Sequence, residues 1–210
     1  MSHHHHRSKR RSPVINPQCE VETQMHQKLI PVIILLAAAG CGGNAITEAE
    51  AGVNQLRESY ASYADVSKAQ AAGYTVWSPD PSAAGATCAS APEGKMGYHL
   101  VNVPLRGPAA TPETGDVVLD PTKPEMLLYE KRADGTMGLV GVEWIVFKAA
   151  WEKAHGAGAA VPTVLGVPLL ASEHTFVAGG PVIPHYELHA WIWKDNPRGT
   201  FDPWNPNVTC

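Results

Sequence analysis

The 210-residue chain is short of charge, of cysteine and of phenylalanine, and each shortage narrows its chemistry. Charged residues make up only 17%, with 16 Lys+Arg against 20 Asp+Glu and no basic stripe. That excludes nucleic acid as a partner. No apolar run approaches the ~20 residues of a membrane-spanning helix. No Gly-rich phosphate loop, Gly-x-Ser-x-Gly elbow, Cys-x-x-Cys pair or His-Glu-x-x-His helix occurs. Those absences remove nucleotide-cradling loops, hydrolase elbows and tight zinc spacings. What is present is 44% hydrophobic residues, enough for a globular core. Gly (19) and Pro (18) are plentiful, which predicts many turns and little helix.

The longest apolar run, Leu29 to Ala39, is broken by Pro31 and preceded by Lys28. It has the length of a secretory h-region. Ala38-Ala39-Gly40-Cys41 follows and resembles a bacterial lipobox, in which the Cys thiol is diacylated and the chain is cut before it. The alternative is an ordinary signal peptide cut nearby, with Cys41 a spare thiol. Met25 is a plausible start, so residues 25–40 read as the lipoprotein signal peptide. Residues 1–24, with His3 to His6 and Arg7, Lys9, Arg10 and Arg11, read as a disordered leader or an over-extended start. Residues 41–45 form a lipidated tether, and residues 46–210 a single domain. From Cys41 onward, 11 Lys+Arg stand against 18 Asp+Glu, a net −7. Two acyl chains would hold such a chain on a membrane surface. Gly42, where Asp would favour inner-membrane retention, makes the outer membrane or cell surface the expected location.

Of the four cysteines, Cys19 lies in the leader and Cys41 is the lipid site. Cys88 and Cys210 remain, in an oxidising compartment, and are expected to form a disulfide. Two free thiols are the alternative.

Apolar positions at Ile46, Ala49, Val53, Leu56, Tyr60 and Tyr63 trace one stripe of a helix, with Thr47 and Glu50 as a capping box. Asp65 caps a second helix, Val66 to Ala72, ended by Gly73. Period-two segments follow at 97–101, 126–131, 139–147 and 186–194, the middle two joined by an Asp134-Gly135 turn. Residues 148–184 show no regular period. The reading is α+β: N-terminal helices packed on a mainly antiparallel, curved β-sheet.

Glu143 lies in Leu139-Val140-Gly141-Val142-Glu143-Trp144-Ile145-Val146-Phe147, apolar on both faces. Alternation puts it with Leu139, Ile145 and Phe147. An ionised carboxylate there requires pairing, hydrogen bonds or a metal; otherwise its pKa rises. The bland reading is a structural acid paired with Arg or backbone amides. In the last strand, alternation puts His185, Glu187, His189, Trp191 and Trp193 on one face, and His99 offers a further nitrogen. Imidazole plus carboxylate suits a divalent transition metal, with His99, Glu143, His189, His185 and Glu187 as candidate ligands. The bland reading makes His189 a satisfied core histidine and His185 and Glu187 rim residues. Trp191 and Trp193 are a candidate stacking platform for a glycan or other flat ligand, or plain core. His174, in Ser172-Glu173-His174-Thr175, is a candidate site-wall residue with no partner in the sequence.

Taken in order, Met96-Gly97-Tyr98-His99, Pro124 to Glu130, Leu139 to Glu143, Leu188 to Trp193 and Asn196-Pro197-x-Gly199 through Trp204-Asn205-Pro206 to Cys210 resemble a family of exported bacterial proteins of unknown function. The resemblance covers most of residues 55–210. It implies that His99, Glu143 and His189 are the polar marks and that Cys88 and Cys210 pair. It carries no activity.

The expected protein is therefore lipid-anchored in the bacterial envelope, with a pocket around His99, Glu143 and His189 for a metal or small polar ligand. If the pocket is catalytic, Glu143 is base or ligand and the histidines are ligands or acid–base partners. A non-enzymatic glycan- or protein-binding module using the Trp face, or a structural envelope protein, are the alternatives.

Overall fold

The computed structural model describes residues 47–176 and 180–210. The expected leader, signal segment, Cys41 lipid site and tether lie outside the described residues, as do Cys19 and Ile46.

Helix α1 (Glu48–Tyr60) starts on the expected capping box: Thr47 Oγ1 accepts from Glu50 N, and the Glu50 carboxylate accepts from Thr47 N. Its buried stripe is Val53, Leu56 and Tyr60. A 3₁₀ turn (Ala61–Ala64) leads to α2 (Val66–Ala71), capped by Asp65 accepting from Ser67 N. Strands β1 (Val76–Ser78), β2 (Ala89–Ala91) and β3 (Gly94–Val101) follow, then the single turn α3 (Val103–Arg106). The hairpin β4 (Met126–Lys131) and β5 (Met137–Phe147) turns at Gly135, whose φ of 83° suits a residue without Cβ.

The stretch without a readable period holds more order than the sequence suggests. It contains helix α4 (Lys148–His155), a two-residue hairpin of β6 (Thr163–Val164) and β7 (Val167–Pro168), and strand β8 (Leu170–Thr175). Strand β8 runs along the sheet edge with mostly exposed or half-buried side chains, so no apolar alternation marks it. Strand β9 (Val182–Trp191) closes the set.

The main sheet is antiparallel and curled, in the order β1-β3-β4-β5-β9-β8, with β2 added beside β3. It is the α+β architecture expected. One face carries the larger core: Leu127, Tyr129, Val142, Trp144, Val146 and Leu188 pack with Val53, Leu56 and Tyr60 of α1. The opposite face carries two smaller clusters. Val101, Met126, Ile145, Phe147, Phe176 and Ile183 form one; Leu128, Val140, Trp191 and Val208 form the other.

A bulge in β5 sets which residues share these faces. Leu128 pairs with Gly141 and Tyr129 with Leu139, so Val140 is the extra residue. The alternation flips there. Leu139 therefore joins the helix-side core rather than the face of Glu143, which corrects the simple period-two assignment. Two donors from the segment just after β9, Ile192 N and Trp193 N, converge on Val140 O at this bulge, at 3.2 and 3.1 Å.

Cys88 and Cys210 are joined by a disulfide, with their Cα atoms 5.6 Å apart. It ties down a C-terminal tail that also bridges to Lys95 through Asn205 and buries Val208.

Candidate functional site

His99 on β3, Glu143 on β5 and His189 on β9 converge on the face opposite the helices. Glu143 and His189 are direct partners in the β5–β9 ladder. Residues so paired hold their Cβ atoms ~5 Å apart. His99 is two strands from Glu143, with β4 between them. Strands lie ~4.8 Å apart, so the two side chains span ~10 Å above β4. They meet: His99 Nε2 is 3.1 Å from Glu143 Oε2, and His189 Nε2 is 3.7 Å from the same oxygen.

The burial of these groups is severe. Glu143 is 2% exposed and His189 1%. Among the described residues, Glu143 Oε2 and both nitrogens of His189 have no hydrogen-bond partner. His99 is close to the carboxylate in distance but off-line for a hydrogen bond. Each such buried orphan costs ~1–3 kcal/mol, and native interiors leave few of them without an ion, a water or a chemical role.

Electrostatics sort the protonation states. Burial pushes the Glu143 carboxyl up, but His189 and then His99 pull it further the other way, so it ends below its ordinary value. Burial pushes His189 down, against weaker upward pulls from Glu143 and Glu187. A metal ion would take over the positive charge that keeps the carboxylate ionised, with the imidazoles then neutral as ligands. The three ligand atoms lie within 4.8 Å of one another. A tetrahedral ion with bonds of ~2.1 Å would hold its ligands ~3.4 Å apart. The two observed contacts to Glu143 bracket that separation.

The other two expected ligands, His185 and Glu187, do not join this group. They gather with His174 of β8, which the sequence left unpartnered. His185 Nε2 is 3.1 Å and His174 Nε2 3.7 Å from Glu187 Oε2. The five-residue ligand set expected from the sequence thus splits into three and two, and His174 makes the second group a three. His174 lines the cavity wall, and its grouping with His185 and Glu187 was missed because it sits on the edge strand, where polar residues alternate with one another. Neither His185 nor Glu187 is a rim residue: they are 0% and 3% exposed.

Trp191 and Trp193 do not form a platform. Trp191 is buried, its Nε1 donates to Asp202 O at 2.7 Å, and its ring stacks at 6.1 Å on His189. Trp193 lies beyond the end of β9 and packs against the helix-side core. The bulge at Val140, where both amides after Trp191 converge, breaks the alternation that would have aligned them.

A cavity of about 400 Å³ opens over the site and is walled by His99, Glu143 and His174, with Met126, Phe176 and Trp204 among its apolar lining. His99 and Glu143 thus present a face to a space of small-ligand size.

Comparison of the chain with family models, with curated proteins and with solved structures finds no match.

Proposed function

We propose that this chain is a lipid-anchored envelope protein whose folded domain binds a divalent transition metal through His99, Glu143 and His189. The observation that carries the metal reading is the group of polar atoms without a hydrogen-bond partner among the described residues: Glu143 Oε2 and both His189 nitrogens, fully buried, with Oε2 and Nε2 3.7 Å apart. A cation among them would satisfy Oε2 and Nε2 together. Two imidazoles and one carboxylate suit zinc or ferrous iron, and three protein ligands leave a coordination position open. The cavity over His99 and Glu143 is where a small polar ligand would take that position. Burial of Trp191 and the separation of Trp193 favour this reading over glycan binding on a Trp face.

The anchoring part rests on the Lys28, Leu29–Ala39 and Ala38-Ala39-Gly40-Cys41 pattern. Two acyl chains at Cys41 would keep the domain at a membrane surface.

The metal is tested by titrating Zn²⁺ into the chelator-treated full chain and following its melting. The parent gains ~2.7 kcal/mol of stability when free ion reaches 100 times Kd. Glu143→Gln leaves an uncharged ligand set and weakens binding by roughly 100-fold, in line with the ~3 kcal/mol lost on breaking a buried charge pair. Equal Zn²⁺ affinity in parent, Glu143→Gln and His99→Ala would sink the site. The anchor is tested by labelling cells with a tagged fatty acid: the parent takes up label and Cys41→Ser does not, whereas label retained in Cys41→Ser removes the anchor.

A further inference from the structure

We infer that His174, His185 and Glu187 form a second divalent transition-metal site beside the first, opening on the same cavity. The two-ion description rests on the site proposed above; the second site itself stands on its own geometry.

That geometry is suited to a cation. His185 Nδ1 lies 2.7 Å from Ile183 O, and His174 Nδ1 3.3 Å from Thr175 O. A carbonyl only accepts, so each Nδ1 carries its proton and donates. In the neutral ring the lone pair is then on Nε2. Both Nε2 atoms face one carboxylate oxygen, Glu187 Oε2, at 3.1 and 3.7 Å. A positive charge must therefore sit among the three atoms: a proton on one Nε2, donated to Glu187 Oε2 when no ion is bound, or a metal ion that takes the proton's place. Metal-bound histidines are held by this device, with the second nitrogen donating to a backbone carbonyl. The three ligand atoms lie within 4.8 Å of one another, as in the first group.

The placement also gives access. His185 and Glu187 are buried, at 0% and 4% side-chain exposure, while His174 is 43% exposed and lines the cavity. An ion entering from the cavity would meet His174 first. Glu187 and His189 are two residues apart on β9. Their Cα atoms are therefore ~6.5–7 Å apart, and the two sites stand side by side along one strand.

The experiment counts Co²⁺ ions bound per full chain in the parent, His174→Ala, His99→Ala and the double variant, with the visible Co²⁺ absorption as a second readout. His3 to His6 are common to all four, so differences in stoichiometry cancel them. The expected result is one ion fewer in each single variant and two fewer in the double. Parent stoichiometry and spectrum in His174→Ala, with one ion lost in His99→Ala, would overturn the second site and leave the first standing. The reverse pattern would overturn the first and leave the second. His174 is at the surface edge, so its removal leaves the core intact; if His174→Ala nevertheless melts early, Glu187→Gln is scored by the same loss of one ion.

Discussion

Glu143 and His189 face each other across the β5–β9 ladder with 3.7 Å between Oε2 and Nε2, and neither atom has a hydrogen-bond partner among the described residues. Two polar groups have been placed in an apolar interior and left bare. Removing either one alone strands the other. Removing both leaves a position that hydrocarbon can fill.

That asymmetry gives a prediction for the metal-free protein. His189→Leu alone is less stable than the parent by on the order of 3 kcal/mol, because the Glu143 charge keeps only His99 for company. The double variant Glu143→Met/His189→Leu recovers that loss and is at least as stable as the parent. Urea unfolding of the four members of the cycle, with chelator present, measures it. Additive losses would mean that the two groups do not depend on one another. The double variant also loses the stabilisation by Zn²⁺, so stability and binding move in opposite directions.

Glu143 was legible in the sequence because a lone acid inside Val, Trp and Ile is an energetic anomaly at any strand position. Its convergence with His99 and His189 was not, since it depends on the order β3-β4-β5-β9, which no local pattern encodes. The helix stripe, both caps and the β4–β5 hairpin were readable because they follow from residues within a turn or two of each other. Trp193 and Leu139 were misplaced for one shared reason. The extra residue Val140 shifts the period-two phase of β5, and the chain after Trp191 bonds twice to that same residue. The grouping of His174 with His185 and Glu187 escaped because an edge strand need not alternate apolar with polar residues.

The Cys88–Cys210 bridge closes a separation of 122 residues. Its loss in Cys88→Ala costs up to ~4–5 kcal/mol in the chain-entropy account. The tail has other ties, since Thr209 Oγ1 donates to Lys131 O at 2.7 Å and Val208 packs with Leu128 and Trp191. The variant is therefore expected to stay folded, melt earlier than the parent, and exchange the amides of Asn205 and Val208 faster while β5 and β9 stay protected. Hydrogen exchange read by mass spectrometry checks this. Uniformly faster exchange across β5 and β9 would show that the bridge holds the whole sheet and not the tail.

A second buried acid makes the opposite kind of prediction. Glu125 is 2% exposed, and its Oε2 accepts from Ile145 N at 3.0 Å. Burial pushes its carboxyl well above the ordinary 4.5, and the nearby charge of Glu143 adds to the rise. The folded state therefore keeps a proton that the unfolded chain gives up. The stability this group contributes is complete below pH 4.5 and is lost as pH climbs from there toward the folded value, at a limiting ~1.4 kcal/mol per pH unit. Glu125→Gln has the shape of the protonated acid and keeps an oxygen for Ile145 N, but it cannot ionise. Melts of the chelator-treated protein at pH 4, 5.5 and 7 should find Glu125→Gln close to the parent at pH 4 and more stable than it at pH 7, with the gap widening upward. A constant gap across that range would mean that Glu125 is ionised in the fold and that Ile145 N suffices to hold its charge.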